Sequence, residues 1–392
     1  MIKKINQIID SIALNKKEDS IGLISGQSGI ALFYYYCSTL INKDDEEKCF
    51  NTIEEALQQI NNGTNISTFC SGLAGFGWTL EFLKEKNLFT NEDIELLDNL
   101  DEYLYKQMII HFNNKHYDYL HGAIGYGLYF LKRLHKEKST AHLTELVNKL
   151  ELMAEKGNNG CLKWESVIDH KEGTRGYNIS LSHGMASIVA VLTKIYKADI
   201  EKDKCKQLIT GAVNYILAQE IDNDKYYSYF PSISLESSEI IASSRLAWCY
   251  GDLGVAMSIW QAGQALNRED WITKSLEVLL YAANERRDLN KNMVLDAGLC
   301  HGAAGIGHIF YRMWYNTKLP EFKAAADYWF DVTLKMAYHQ DGLAGYKSWR
   351  TEEYGGWQNE TSLLEGVAGI GLVLMSYYYE IDPDWDECLL LS

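Results

Sequence analysis

Apolar positions along this chain follow two rhythms that alternate. In "TELVNKLELMAEKG" the residues Leu146, Val147, Leu150 and Met153 recur at three and four, and "EDIELLDNLDEYLYKQMI" does the same with Ile94, Leu97, Leu100 and Leu104. That spacing predicts amphipathic helices with one face on a core. In "GIGLVLMSYYY" almost every position is apolar, which predicts a helix buried all round. The buried kind follows one recurring turn. It appears as "SGQSGIALFYYY" from Ser25, "SGLAGFGWTLEFL" from Ser71, "HGAIGYGLYFLKRL" from His121 and "HGMASIVAVLTKIY" from His183, then as "YGDLGVAMSIW" from Tyr250, "HGAAGIGHIFYRMW" from His301 and "EGVAGIGLVLMSYYY" from Glu365.

The first glycines of these turns, Gly26, Gly72, Gly122, Gly184, Gly251, Gly302 and Gly366, lie 46 to 67 residues apart. Each interval holds two helices of roughly 10 to 15 residues and their connections. Seven hairpins of this kind form either an open solenoid or a closed ring. An open solenoid shows polar capping repeats, whereas here the first and seventh buried helices are as apolar as the others. The expectation is therefore all-α: one domain over residues 1–392, built as a double-layered (α/α) toroid of seven helical hairpins. Three polar stretches, at about 157–182, 220–248 and 338–364, precede turns four, five and seven. They are expected to form rim loops or short strand pairs at one end of the barrel, where binding concentrates on such scaffolds.

Composition narrows the function. Three prolines and 30 glycines among 392 residues suit helices punctuated by glycine turns. A formal net charge of −16 argues against nucleic acid as a partner, since phosphate binding needs clustered Lys and Arg. "MIKKINQIIDSIALNKKED" lacks the apolar core of a signal peptide, and no stretch reaches membrane-spanning length. A soluble, cytoplasmic protein is expected, and its eight cysteines then read as reduced thiols, some buried and some ligating metal.

Candidate chemistry comes from aligning the turns. The residue before the first glycine is Ser25, Ser71, His121, His183, Tyr250, His301 or Glu365, which takes three of the ten histidines; two before it stand Ile24, Cys70, Leu120, Ser182, Cys249, Cys300 and Leu364, which take three of the eight cysteines. In a closed ring these side chains converge on one mouth, at helix N-termini that favour thiolates. Turns five and six are neighbours, so Cys249, Cys300 and His301 are expected together, as a Cys2His zinc (Zn2+) set with an open fourth position. Cys70, three turns away, is expected to stand outside it. His121 and His183 with Asp118 come into view from turns three and four. A histidine at a helix start is also an ordinary capping or packing residue, and Arg245, four before Cys249, reads equally as a loop arginine.

With "AWCYGDLG", "LCHGAAGIG" and "LSHGMAS" on seven glycine-turn hairpins, nearly the whole chain resembles the lanthionine synthetase C family, the cyclases of lanthipeptide biosynthesis. The resemblance implies zinc on the positions matching Cys249, Cys300 and His301, an acid/base histidine at His183, the family's aspartate at Asp118, and its arginine and tyrosine at Arg245 and Tyr250. It implies as substrate a dehydrated precursor peptide, leader plus core, with a lanthipeptide dehydratase as a further partner. The activity implied is addition of peptide cysteine thiols to dehydroalanine or dehydrobutyrine. Two alternatives remain open in the sequence: glutathione addition to dehydroamino acids in proteins, as in eukaryotic-type relatives, and a non-enzymatic toroid in which zinc is structural.

Overall fold

A computed structural model describes residues 1–15, 20–169, 171–237 and 243–392. The chain forms two compact units, one from residues 1–90 and 288–386, the other from 91–287 and 387–392. Residue 170 and residues 238–242, which belong to the expected rim segments 157–182 and 220–248, lie outside the described residues.

The first unit begins with α1 (Ile2–Leu14), α2 (Gln27–Leu40), α3 (Asp45–Asn61) and α4 (Leu73–Glu85). The second holds α5 (Leu97–Asn113), α6 (Gly125–Lys132), α7 (Ser139–Met153), α8 (Met185–Lys197), α9 (Lys202–Leu217), a single turn α10 (Asn223–Tyr226), α11 (Asp252–Leu266) and α12 (Glu269–Glu285). The chain then returns to the first unit with α13 (Ala303–Thr317), α14 (Pro320–Lys335) and α15 (Val367–Tyr378). Helices after the glycine turns are buried almost throughout, as in α15 from Val367 to Ser376, while α7 buries the stripe Leu143, Leu146, Val147 and Leu150. Both rhythms of the sequence thus describe how far each helix is wrapped by others. In turn three the helix starts later than in the others, at Gly125, after a non-helical turn.

In the second unit α8 packs between α6 and α11, each with its partner helix behind it. In the first unit α15 packs between α13 and α2, and α2 packs on α4. The last glycine turn therefore adjoins the first, and Leu364 N–H donates to the Ile24 carbonyl at 3.0 Å. This is the neighbour relation an open solenoid lacks. The seventh hairpin draws its halves from opposite ends of the chain: α15 ends the helical series, and α1 packs against it. Ile5, Ile8, Ile9 and Ile12 form the buried stripe of α1, and each full burial is worth about 2 kcal/mol.

Short antiparallel pairs stand in two of the predicted rim segments and just before the first of them. β1 (Glu155–Lys156) pairs with β2 (Leu162–Lys163), β3 (Glu165–Asp169) with β4 (Thr174–Tyr177), and β5 (Ser348–Trp349) with β6 (Trp357–Gln358).

Behind α13 the chain buries charge. Asp386 takes both Nε and Nη2 of Arg312 and Nε2 of His308, each at 2.9 Å, and Trp385 stacks on the His308 ring at 4.8 Å. Burial holds the His308 pKa below its ordinary value, with Asp386 pulling against it. The unfolded chain therefore takes up a proton below about pH 6.5 that the native imidazole refuses, so stability falls as pH drops through that region. Asp386 is itself buried, yet Arg312 and His308 hold its pKa below the usual carboxylate range, so its contribution is lost only at lower pH still. His308→Gln is expected to flatten the fall in urea midpoint between pH 7 and pH 5; a parent-like slope would remove His308 as its source.

Candidate functional site

The same backbone device recurs at the glycine turns. The carbonyl two residues before a first glycine accepts N–H groups of the preceding turn: Cys70 from Ile24 and Ser25, Cys249 from Leu181 and Ser182, Leu364 from Leu299 and Cys300, all between 2.8 and 3.3 Å. The polar side chains before the glycines are thereby set side by side. Ser25 and Ser71 bond at 2.9 Å, and the His183 ring centre lies 6.1 Å from those of His121 and Tyr250. Glycine is demanded by geometry at Gly251, where φ is +92° and a Cβ would stand 2.4 Å from the Arg245 carbonyl.

His183 is fixed at both ends. Its backbone N–H donates to Ser180 Oγ at 3.2 Å, and its Nδ1 bonds Asp118 Oδ2 at 2.5 Å. Asp118 is held by a second bond, from the His121 backbone N–H at 2.6 Å. Burial works against a charged imidazole, but the bond and charge of Asp118, joined by the nearby Cys249, lift the His183 pKa above its ordinary value. Asp118 shows the converse: burial pushes its pKa up, and His183 and the His121 N–H outweigh this and bring it down. The His183 side chain keeps 32% of its surface exposed against 13% for Asp118. The histidine thus faces solvent, and the carboxylate stands behind it.

One ligand atom from each of Cys249, Cys300 and His301 lies within 4.8 Å of the others. Cys249 is buried, and Cys300 and His301 are half-buried. Two thiols and an imidazole are the donors that zinc prefers, and among the described residues no fourth His, Cys, Asp or Glu joins the group. The donor set is compatible with a metal that keeps one open position. Cys70 stands outside it, with its sulfur 3.7 Å from Ser25 Oγ.

Arg245 is half-buried and makes no hydrogen bond or ion pair among the described residues. Its placement depends on residues the sequence reading did not single out. Asp252 and Arg286 form a fully buried ion pair at 2.7 Å. Asp252 also accepts the N–H groups of Tyr229 and Phe230, and Arg286 Nη2 donates to the Ser244 carbonyl at 2.6 Å. The strand of chain leading into Arg245 is therefore pinned from below. Asn178 was also missed: its side-chain oxygen accepts Ser180 N–H at 2.9 Å, and its amide reaches Tyr250 OH at 3.5 Å. The only trace of these in the sequence is the polar residue directly after a turn glycine in "YGDLG".

The family described as lanthionine synthetase C-like protein matches residues 17–390, and the chain belongs to it. Its fold is the double-layered α/α toroid of that family. Among individual relatives, nisin biosynthesis protein NisC of Lactococcus lactis subsp. lactis is 23% identical over 404 residues, spanning 96% of this chain and 91% of that protein. A solved structure named nisin cyclase superposes with a TM-score of 0.76 at 22% identity, covering 99% of this chain and 96% of its own. No helix among the described residues is long and apolar enough to cross a membrane.

Proposed function

We propose that this chain is a zinc-dependent lanthipeptide cyclase, which joins cysteine thiols of a dehydrated precursor peptide to its dehydroalanine and dehydrobutyrine residues. The observation that carries the reading is the Asp118–His183 pair standing beside Cys249, itself one of three clustered zinc-type donors. Cys249, Cys300 and His301 would hold the ion. Zinc in that place supplies a Lewis acid that keeps an incoming thiol deprotonated at neutral pH.

The chain's own residues do the rest. As thiolates, Cys249 and Cys300 would balance the two charges of the ion, so the sulfur of a peptide thiol brought to the open place would stay electron-rich. When that sulfur bonds the β-carbon, the π electrons of the dehydro residue move into an enolate, and the α-carbon needs a proton. His183 delivers it from Nε2, because Nδ1 is committed to Asp118. Asp118 keeps the imidazole charged until transfer and fixes its ring. Arg245, with a guanidinium that no described partner engages, would stabilise the enolate oxygen or brace the site, and Tyr250, whose ring centre lies 6.1 Å from that of His183, would stand beside the acid.

Two features weigh against the alternatives. Arg175, a candidate anchor for a glutathione carboxylate, is paired with Glu165 at 2.6 Å. A structural zinc would call for a fourth protein ligand, which the described residues do not offer. The substrate is made by loss of water from serine and threonine, so a dehydratase acts before this protein, and we place both in the cytoplasm. The test is direct. Zinc-loaded protein is incubated with a dehydrated cysteine-bearing peptide, followed by thiol alkylation and mass spectrometry. Ring closure removes alkylatable thiols without changing the peptide mass. Thiols that persist beside fully loaded protein would sink the assignment.

A further inference from the structure

Asp296 opens the turn that carries Cys300 and His301, and its side chain is only 2% exposed. Oδ1 accepts the Gly298 N–H at 3.0 Å, and Oδ2 accepts the Trp349 N–H, on strand β5, at 2.8 Å. The same Oδ2 stands 3.9 Å from His301 Nε2. The main-chain carbonyl of Asp296 accepts the Ala303 N–H at 3.0 Å, so both halves of the residue are fixed and the carboxylate has no room to swing away. Among the described residues no lysine or arginine forms an ion pair with it. A carboxylate buried on two neutral amides is incompletely compensated. An imidazole bound to a divalent cation, with its remaining N–H made strongly polar, is the kind of partner that completes it.

We propose that Asp296 is a positioning residue for the metal centre, an inference that rests on the zinc reading above. Facing Nε2, it assigns the proton of His301 to that nitrogen and leaves Nδ1 as the ligand atom. The gap of 3.9 Å exceeds a hydrogen bond by about 1 Å, and the proposal requires it to close when the metal is bound. Because Oδ2 also holds Trp349, the orientation of a metal ligand and the seating of the β5–β6 hairpin share one oxygen. The rim is thereby tied to the metal through a single side chain.

The first measurement needs no variant. In zinc-loaded parent protein labelled with nitrogen-15 at histidine, long-range proton–nitrogen correlation spectra are expected to show His301 protonated on Nε2 and metal-bound through Nδ1. Metal on Nε2 overturns the proposal. The second is the zinc dissociation constant, by competition with a chromophoric chelator, in Asp296→Asn. It is expected to rise 10- to 100-fold, the usual effect of losing such a partner, while helical circular dichroism stays at the parent level. An unchanged constant in a folded variant also overturns it, and should the variant misfold, the spectra of the parent still decide. A parent that retains no zinc defeats the metal reading itself and carries this inference down with it.

Discussion

Cys300→Ala is expected to leave the purified protein without zinc and without measurable ring closure, whereas Cys70→Ala keeps both. Each variant replaces a cysteine two residues before a turn glycine, so the two differ only in which neighbours the turn has. The Cys300 sulfur belongs to the three-donor group, while the Cys70 sulfur faces Ser25. With two protein ligands left, the site loses both the charge balance and the tetrahedral set that zinc requires. Metal analysis by mass spectrometry reads the outcome, and full occupancy in Cys300→Ala would refute the ligand set. Helical circular dichroism is expected to survive metal loss, because the helices after the turns are buried on apolar neighbours throughout. Unfolding on chelation would mark the zinc as structural.

His183→Asn separates proton delivery from thiol activation. The three ligands are untouched, and an amide still stands before Gly184. The variant is therefore expected to bind zinc and a substrate thiol as the parent does. It is expected to close rings more slowly by roughly 10² to 10⁴, the usual contribution of a positioned acid or base. A cobalt-substituted sample reports thiol binding, and alkylation with mass spectrometry reports closure. Parent-rate closure would hand the proton to another donor, with His121, whose ring centre lies 6.1 Å from that of His183, next in line.

The helices were legible because their physics is local. A turn glycine, a stretch apolar on all sides and a stretch apolar on one side recur seven times, and the helices follow them closely. The cysteine and histidine positions were legible for the same reason: residues in register on a repeat share a height in the fold. What stayed hidden depends on distant partners. Asp252 gains its meaning only from Arg286, thirty-four residues on, and from the N–H groups of Tyr229 and Phe230. Asp296 depends on the backbone of Trp349, and Asp386 on Arg312 and His308. None of these spacings has a period. The N-terminal segment lacked an apolar core in the sequence, yet it buries four isoleucines and packs against α15 at the other end of the chain. The Asp118–His183 bond lies between these cases, since repeat register brought the two into view and only the folded chain shows that they touch.

That pairing of α1 with α15 sets an order of events during synthesis. Residues 1–90 leave the ribosome first, but residues 288–386, with which they form one unit, follow only after the whole of 91–287. At elongation rates of about 5–20 residues per second the delay is on the order of 10 to 40 s. Throughout it the isoleucine stripe of α1 lacks α15, the helix it packs against, while most of the second unit has already been synthesised. Cys300 and His301 belong to the half completed last. Under the zinc assignment proposed above, loading of the metal would be a late step, and until α15 emerges the apolar stripe of α1 waits for the helix it packs against.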